Sequence, residues 1–270
     1  MKEGKMKTEA VLKLLDAKRQ ECKNGIDILK TFPEQVKNYE DNFLVRYTYE
    51  STAIEGNTLN LKETRALILD NKTPNEKEMK EIFEQINHKK AFAYTANCVR
   101  KKMDLSEEII CNMHRQLVEN IFPGGNYRQV EVYIQGAEHE CPRLQELPKL
   151  LEEFYLELNH KNDVCGMPES NVHPFELACW THTKFVGIHP FRDGNGRTSR
   201  LMMNYQLLKH DYLPISIPLD MRFEYYRALD ECHCRGNIEP FINLMANIES
   251  KELSHMIEQT KLIQNLEREL

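Results

Sequence analysis

The chain has 270 residues, 41% hydrophobic and 29% charged, which suits one large globular domain or a domain with an added helical layer. Its net charge of −6 gives no basic footprint for nucleic acid or an anionic membrane, and no apolar run approaches the roughly 18 residues that a membrane span needs. The charged stretch from Met1 to Lys7 has no apolar run behind it, so a signal peptide is not expected. The eight cysteines are scattered without a paired framework, as for reduced thiols in the cytoplasm. Cys232-His233-Cys234 is the tightest cluster, but no second close pair completes four ligands, which argues against zinc.

Most of the sequence has helical period. Residues 8–30 carry Val11, Leu12, Leu15, Ile26 and Leu29 among charges, an amphipathic helix or helix pair. Pro33 opens a second helix with Tyr39, Phe43, Tyr47 and Ile54 near one face. It should end at Glu55-Gly56-Asn57, because Gly and Asn suit the left-handed C-terminal position. Asn60 with Glu63 reads as a capping box for a helix to Asp70. After the Lys72-Thr73-Pro74-Asn75 turn, helices are predicted over 76–102 and 107–120, the latter capped by Ser106. Pro123-Gly124-Gly125-Asn126 then marks a turn, and Val130, Val132 and Ile134 alternate at period two, the one strand signal in the chain. Helices resume over 147–159, 174–186, 194–209, 222–234 and 239–247, with a charged helix from 250 to the end. The pattern predicts a compact all-α bundle with a single β-hairpin. Its parts are an N-terminal helical region (1–105), a core (106–248) and a C-terminal packing or dimer helix (249–270).

The segment His189-Pro190-Phe191-Arg192-Asp193-Gly194-Asn195-Gly196-Arg197-Thr198-Ser199-Arg200 carries the chemistry. It lies where one apolar helix ends and another begins. Gly194 and Gly196 let backbone N–H groups of the second helix approach an anion, which the helix dipole favours. Arg197 and Arg200, three apart, share one face, and two guanidinium forks fit a polyphosphate better than a carboxylate. Asp193 at the rim would repel phosphates unless a Mg²⁺ lay between them. His189 titrates near neutrality and can take a proton from an attacking hydroxyl. Base, metal carboxylate and anion cradle together predict phosphoryl-group transfer. His173-Pro174-Phe175-Glu176 repeats the opening tripeptide without a following Gly-Asn-Gly-Arg, so it reads as a helix start with His173 as surface or cap.

The 189–200 segment resembles the signature of the Fic family, His-Pro-Phe-x-Asp/Glu-Gly-Asn-Gly-Arg-x-x-Arg, without departure at a defining position. Gly125-Asn126-Tyr127-Arg128 and the alternation over 130–136 look like the family's hairpin flap, which docks a target segment as an added strand through Val130, Val132 and Ile134. Tyr225-Tyr226-Arg227-Ala228-Leu229, Gly236-Asn237 and Pro240-Phe241 resemble the region that packs on adenine, which points to Tyr225, Tyr226 and Asn237. The similarity spans about 40–248. It implies a protein adenylyltransferase that moves AMP from ATP, with Mg²⁺, to a Ser, Thr or Tyr hydroxyl of a target protein, or of itself. His189 would be the base, Asp193 the Mg²⁺ ligand, and Gly194, Asn195 and Gly196 the phosphate cradle. Arg197 would hold the β-phosphate and Arg200 the γ-phosphate.

Ser51-Thr52-Ala53-Ile54-Glu55-Gly56-Asn57 resembles the family's inhibitory motif, Ser/Thr-x-x-x-Glu-Gly/Asn, in the class that carries it N-terminal to the Fic domain. Glu55, with Ser51 one turn earlier, is expected to form a bidentate pair with Arg200 and remove the γ-phosphate fork. Three other readings stay open: transfer of a different nucleotide or phosphate-containing group, removal of AMP by a water aligned on Glu55, and a nucleotide-sensing interaction module.

Overall fold

The computed structural model describes residues 2–29, 32–133, 138–167 and 169–269, and within them all regular structure is helical. The helices are α1 (Lys2–Leu29), α2 (Pro33–Ala53), α3 (Leu61–Asp70), α4 (Met79–Arg100), α5 (Glu107–Leu117), α6 (Leu147–Val164), α7 (Pro174–Ile188), α8 (Asn195–Lys209), α9 (Arg222–Arg235) and α10 (Glu239–Glu269). Single 3-10 turns, Leu144–Glu146 and Leu219–Met221, lead into α6 and α9.

Local signals set many boundaries. Asn60 Oδ1 accepts from the Lys62 and Glu63 amides while the Glu63 carboxylate accepts from the Asn60 amide, a complete capping box for α3. Ser106 caps α5, and His173 caps α7 by accepting from the Phe175 amide, with Pro174 at the first helical position. Two boundaries differ from the sequence reading. α4 starts at Met79 rather than 76, since Glu76 takes a left-handed backbone with φ 59°. The expected break near 247–250 is absent: α10 runs through it, because Ile248, Leu253, Met256 and Ile257 keep one face in the core and the buried Glu249 accepts from the Leu213 amide.

The hairpin predicted at Val130, Val132 and Ile134 is not found among the described residues, and Ile134 itself lies outside them. Alternation at period two makes a strand only where backbone groups find a ladder partner. Here side chains join the two legs of the loop instead. The buried Arg128 guanidinium donates to the carbonyls of Val130 and Pro142, and Glu131 accepts from the Leu144 amide.

α7 and α8 pack against each other at the centre. On one side a core forms with α2, α4, α5 and α6 through residues such as Tyr47, Met113, Phe154, Phe185, Phe191 and Leu201. On the other, Val186, Met203 and Leu207 meet Leu15, Tyr225, Phe241 and Met245 of α1, α9 and α10. Because α8 is enclosed on both sides, its polar residues Arg197, Thr198, Ser199, Arg200 and Asn204 are buried too. A helix that buries so many polar groups must supply partners for them, and those partners build the site. No helix among the described residues is long and apolar enough to cross a membrane.

Candidate active site

The loop between α7 and α8 is closed by its own side chains. His189 ends α7 in a left-handed conformation (φ 51°), and Gly194 opens α8 at φ 82°. Asn195 spans the loop with a reciprocal pair: its Oδ1 accepts from the Phe191 amide and its Nδ2 donates to the Phe191 carbonyl, both at 2.8 Å. Its side chain is therefore spent on the loop, and what Asn195 can offer an anion is its backbone N–H. The first amides of α8 lack intrahelical acceptors, as at any helix start.

His189, Asp193, Gly196, Glu55, Tyr225 and Tyr226 share the wall of one cavity of about 480 Å³. The His189 Nδ1–H donates to the Val186 carbonyl at 3.3 Å, which leaves Nε2 as a free acceptor. Burial pushes this imidazole below the usual value near 6.5, although the Val186 carbonyl and the Glu55 and Asp193 carboxylates partly oppose it. The ring is thus neutral at pH 7 and able to take a proton. Asp193 is half exposed at the rim, and its Oδ1 accepts from the Gly194 amide at 2.5 Å. Among the described residues no three His, Cys, Asp or Glu side chains gather to ligate a metal. Mg²⁺ needs no such cage, since it is held by one or two carboxylates together with phosphate oxygens and water. A single accessible carboxylate beside an anion cradle fits it.

Arg200 is fully buried, and each of its three nitrogens donates. Its Nε donates to Ser51 Oγ (2.9 Å), Nη2 to the Ser51 carbonyl (2.8 Å) and to Glu55 Oε1 (2.7 Å), and Nη1 to the Tyr225 hydroxyl (3.4 Å). Burial alone would lower its pKa; Glu55 and Tyr225 reverse this and raise it, so the group stays charged. The expected bidentate pair is a one-oxygen contact, because Ser51 takes the other edge of the fork. The same Glu55 Oε1 lies against Gly196: a Cβ built there would be 2.2 Å from it. One carboxylate therefore sits on Arg200 and in the mouth of the cradle together.

Residues 104–207 match the family model described as Fic/DOC. Proteins named "Protein adenylyltransferase Fic" from Drosophila melanogaster and Drosophila persimilis are 32% and 31% identical to it over 256 residues, 93% of this chain. Residues 104–207 are a domain of the Fic/DOC family. The chain spans about half the length of these curated relatives, 50% and 49%. A Fic domain containing signaling protein from Bacteroides thetaiotaomicron superposes with a TM-score of 0.78 at 25% identity, covering 89% of this chain and 98% of that one. A fragment of Fic-1 from C. elegans gives 0.77 at 26% identity, covering 96% and 74%.

Within this chain the remaining sequence-predicted residues divide. Tyr225 and Tyr226 line the cavity, but both hydroxyls point inward, Tyr225 to Arg200 and His182 and Tyr226 to the Ile54 carbonyl. Asn237 is not brought to the cavity; its Oδ1 accepts from the Glu239 amide at the start of α10. Val130 is exposed and Val132 half-buried beside Tyr133, which borders the cavity. Arg197 is buried between Glu84 and Asp193 rather than on the cavity wall.

Sequence reasoning missed His114. Its ring stacks on Phe191 at 3.7 Å between centroids and 2° between planes. Nδ1 accepts from the Gly125 amide, so Nε2–H donates to the Asp193 carbonyl, both at 2.9 Å. Burial pushes its pKa down to about 4 and keeps it neutral. A lone histidine on an apolar helix face carries no sequence mark of this role.

Proposed function

We propose that this chain is a protein adenylyltransferase that moves AMP from ATP to a Ser, Thr or Tyr hydroxyl of a target protein, and that Glu55 holds it back. The observation that carries the reading is the free Nε2 of His189 opening on the same cavity as Asp193 and the Gly196 face of α8. The names of the curated relatives support the choice of AMP as the group transferred.

His189 Nε2 takes the hydroxyl proton as the oxygen attacks the α-phosphorus. The new O–P bond forms as the bond to the β-phosphate breaks, giving an AMP phosphodiester on the target and pyrophosphate. The α8 amides and the two arginines stabilise the phosphate charge. Mg²⁺ held by Asp193 would supply further charge neutralisation. In the resting chain Glu55 occupies Arg200 and the cradle mouth, so the triphosphate cannot take both.

Glu55→Gly should raise transfer from α-labelled ATP at least tenfold, the effect of freeing one charged fork worth about 1.4 kcal/mol or more. UTP, GTP and CDP-choline tested beside ATP identify the donor. A folded variant that labels no protein from any donor sinks the proposal. Glu55 facing the cavity also favours a second reading, orientation of a water that removes AMP; Glu55-dependent loss of label from a prepared modified protein distinguishes it.

A further inference from the structure

Arg197 differs from Arg200 in having its charge balanced while two of its nitrogens lack a hydrogen-bond partner. Its guanidinium is 3.4 Å from Glu84 Oε1 through Nη1 and 3.5 Å from Asp193 Oδ1 through Nη2. Both distances are long, and Nε and Nη1 have no hydrogen-bond partner although the side chain is only 3% exposed. Buried donors left unspent are costly unless a ligand completes them.

The second oxygen of Glu84 faces elsewhere. Oε2 accepts from Asn57 Nδ2 at 2.8 Å, and Asn57 lies two residues beyond Glu55. The same Nδ2 donates to the Glu81 carbonyl, and Asn57 Oδ1 accepts from Gln85 Nε2 and the Leu59 amide. Gln85 Nε2 also donates to Thr52 Oγ1 at 2.8 Å. One face of α4 thus grips the 52–59 turn that presents Glu55, and the Glu84 carboxylate touches both this grip and Arg197.

We propose that Glu84 is a positioning residue with two arms: Oε1 holds Arg197, whose unspent donors a phosphate entering the cradle would complete, and Oε2, through Asn57, holds the turn that carries Glu55. The inference rests on the triphosphate reading of the cradle. It predicts effects of opposite sign. Losing the Arg197 arm weakens ATP binding, whereas losing the Asn57 arm loosens the brake.

Two substitutions separate the arms. Glu84→Gln keeps an oxygen for Asn57 but turns a neutral group toward Arg197; Asn57→Ala removes the turn contact and leaves the pair with Arg197. ATP binding with Mg²⁺ is measured by calorimetry in the Glu55→Gly background. There Glu84→Gln should weaken binding about five- to tenfold, as for one charge-assisted contact, and Asn57→Ala less than about twofold. With Glu55 in place, Asn57→Ala should raise transfer about threefold or more, and that gain should vanish in the Glu55→Gly background, the mark of coupling rather than general loosening. Unchanged ATP affinity in Glu84→Gln, or an equal gain from Asn57→Ala with and without Glu55, overturns the proposal. If Glu84→Gln does not fold, Glu84→Asp reads the same arm by shortening its reach. ATP binding stands as a test even where no protein is labelled, so failure of the transfer reading and failure of this one are distinguishable.

Discussion

The 189–200 segment and the loop legs 127–133 and 138–144 both border the cavity, yet they are held by opposite means. In the first, the backbone turn is braced by short bonds: Asn195 to Phe191, Thr198 Oγ1 to the Gly194 carbonyl, Ser199 Oγ to the Gly196 carbonyl, while the two arginines reach out to Ser51, Glu55, Tyr225 and Glu84. The backbone of the turn is thus largely set locally, with His114 and Arg128 as clamps from outside. In the second, Arg128 carries most of the order. It is buried and reaches a segment 61 residues further along the chain, its Nε donating to the His189 carbonyl while its backbone amide donates to that of Pro190. The backbone turn of the 189–200 segment is therefore mainly a local device, and the wall opposite it is organised around one side chain. On the proposed function, a cradle for a constant triphosphate gains from rigidity. On the same proposal, a wall that meets a protein target can be looser, and Tyr133 there is 91% exposed.

The sharpest test of the local device separates its scaffold from its chemistry. His189 has φ 51°, a conformation glycine adopts freely, so His189→Gly removes the imidazole while preserving the backbone. Transfer by the Glu55→Gly enzyme should fall about 10²- to 10⁴-fold, the worth of a general base, with melting temperature unchanged or higher. A variant that keeps its transfer rate breaks the assignment of the base. For the opposite wall, Arg128→Ala leaves the carbonyls of His189, Val130 and Pro142 without their donor. It should cost about 3 kcal/mol in denaturant unfolding, from orphaned buried acceptors plus a cavity. A loss under about 1 kcal/mol would mean that the wall is held by something other than this residue.

This contrast also explains what could be read from the sequence. The 189–200 segment was legible because its determinants are contiguous: helix end, left-handed glycine, helix start. Glu55 was legible as a partner of Arg200 because its motif is equally local, but Ser51 taking the other edge of the fork was not, since that depends on how α2 enters the bundle. Among the helices, Asn60, Ser106 and His173 marked starts through their own caps. The failures involved long-range partners. Val130 and Val132 alternate as a strand would, yet no neighbouring strand meets the described residues; Asn237 sits near adenine-like motifs yet caps α10. His114 and Glu84 act through residues 79 and 113 positions away, respectively, and nothing in their own surroundings marks them.

His114 supplies a smaller test of how self-contained the cradle is. His114→Phe keeps an aromatic ring against Phe191 but orphans the Gly125 amide and the Asp193 carbonyl. It should cost about 2 kcal/mol, less than Arg128→Ala, since fewer groups lose partners. The parent adds a pH signature. Its folded pKa is about 4 against about 6.5 unfolded, so the unfolded chain binds more protons between those values. Stability contributed above pH 6.5 is thus lost as pH falls toward 4, and this part of the acid slope should be missing in His114→Phe melts. An identical slope in both proteins would remove His114 from the account.

The last and smallest effect concerns His189 and its neighbour Glu55. Transfer needs the neutral imidazole, so kcat/KM should fall as pH drops through the His189 pKa in the free enzyme. Burial places that pKa below 6.5, and the Glu55 carboxylate, which favours the imidazolium, moves it partly back up. Glu55→Gly removes this opposing charge. The acid limb of kcat/KM should then lie below pH 6.5 in both forms and lower in the variant, because the charge that favours the imidazolium is gone. An upward displacement would mean that Glu55 acts on the base by admitting water or by shifting the ring, rather than through its charge. The local device would then be less self-contained than its hydrogen bonds suggest, and the brake would reach the base as well as the arginine.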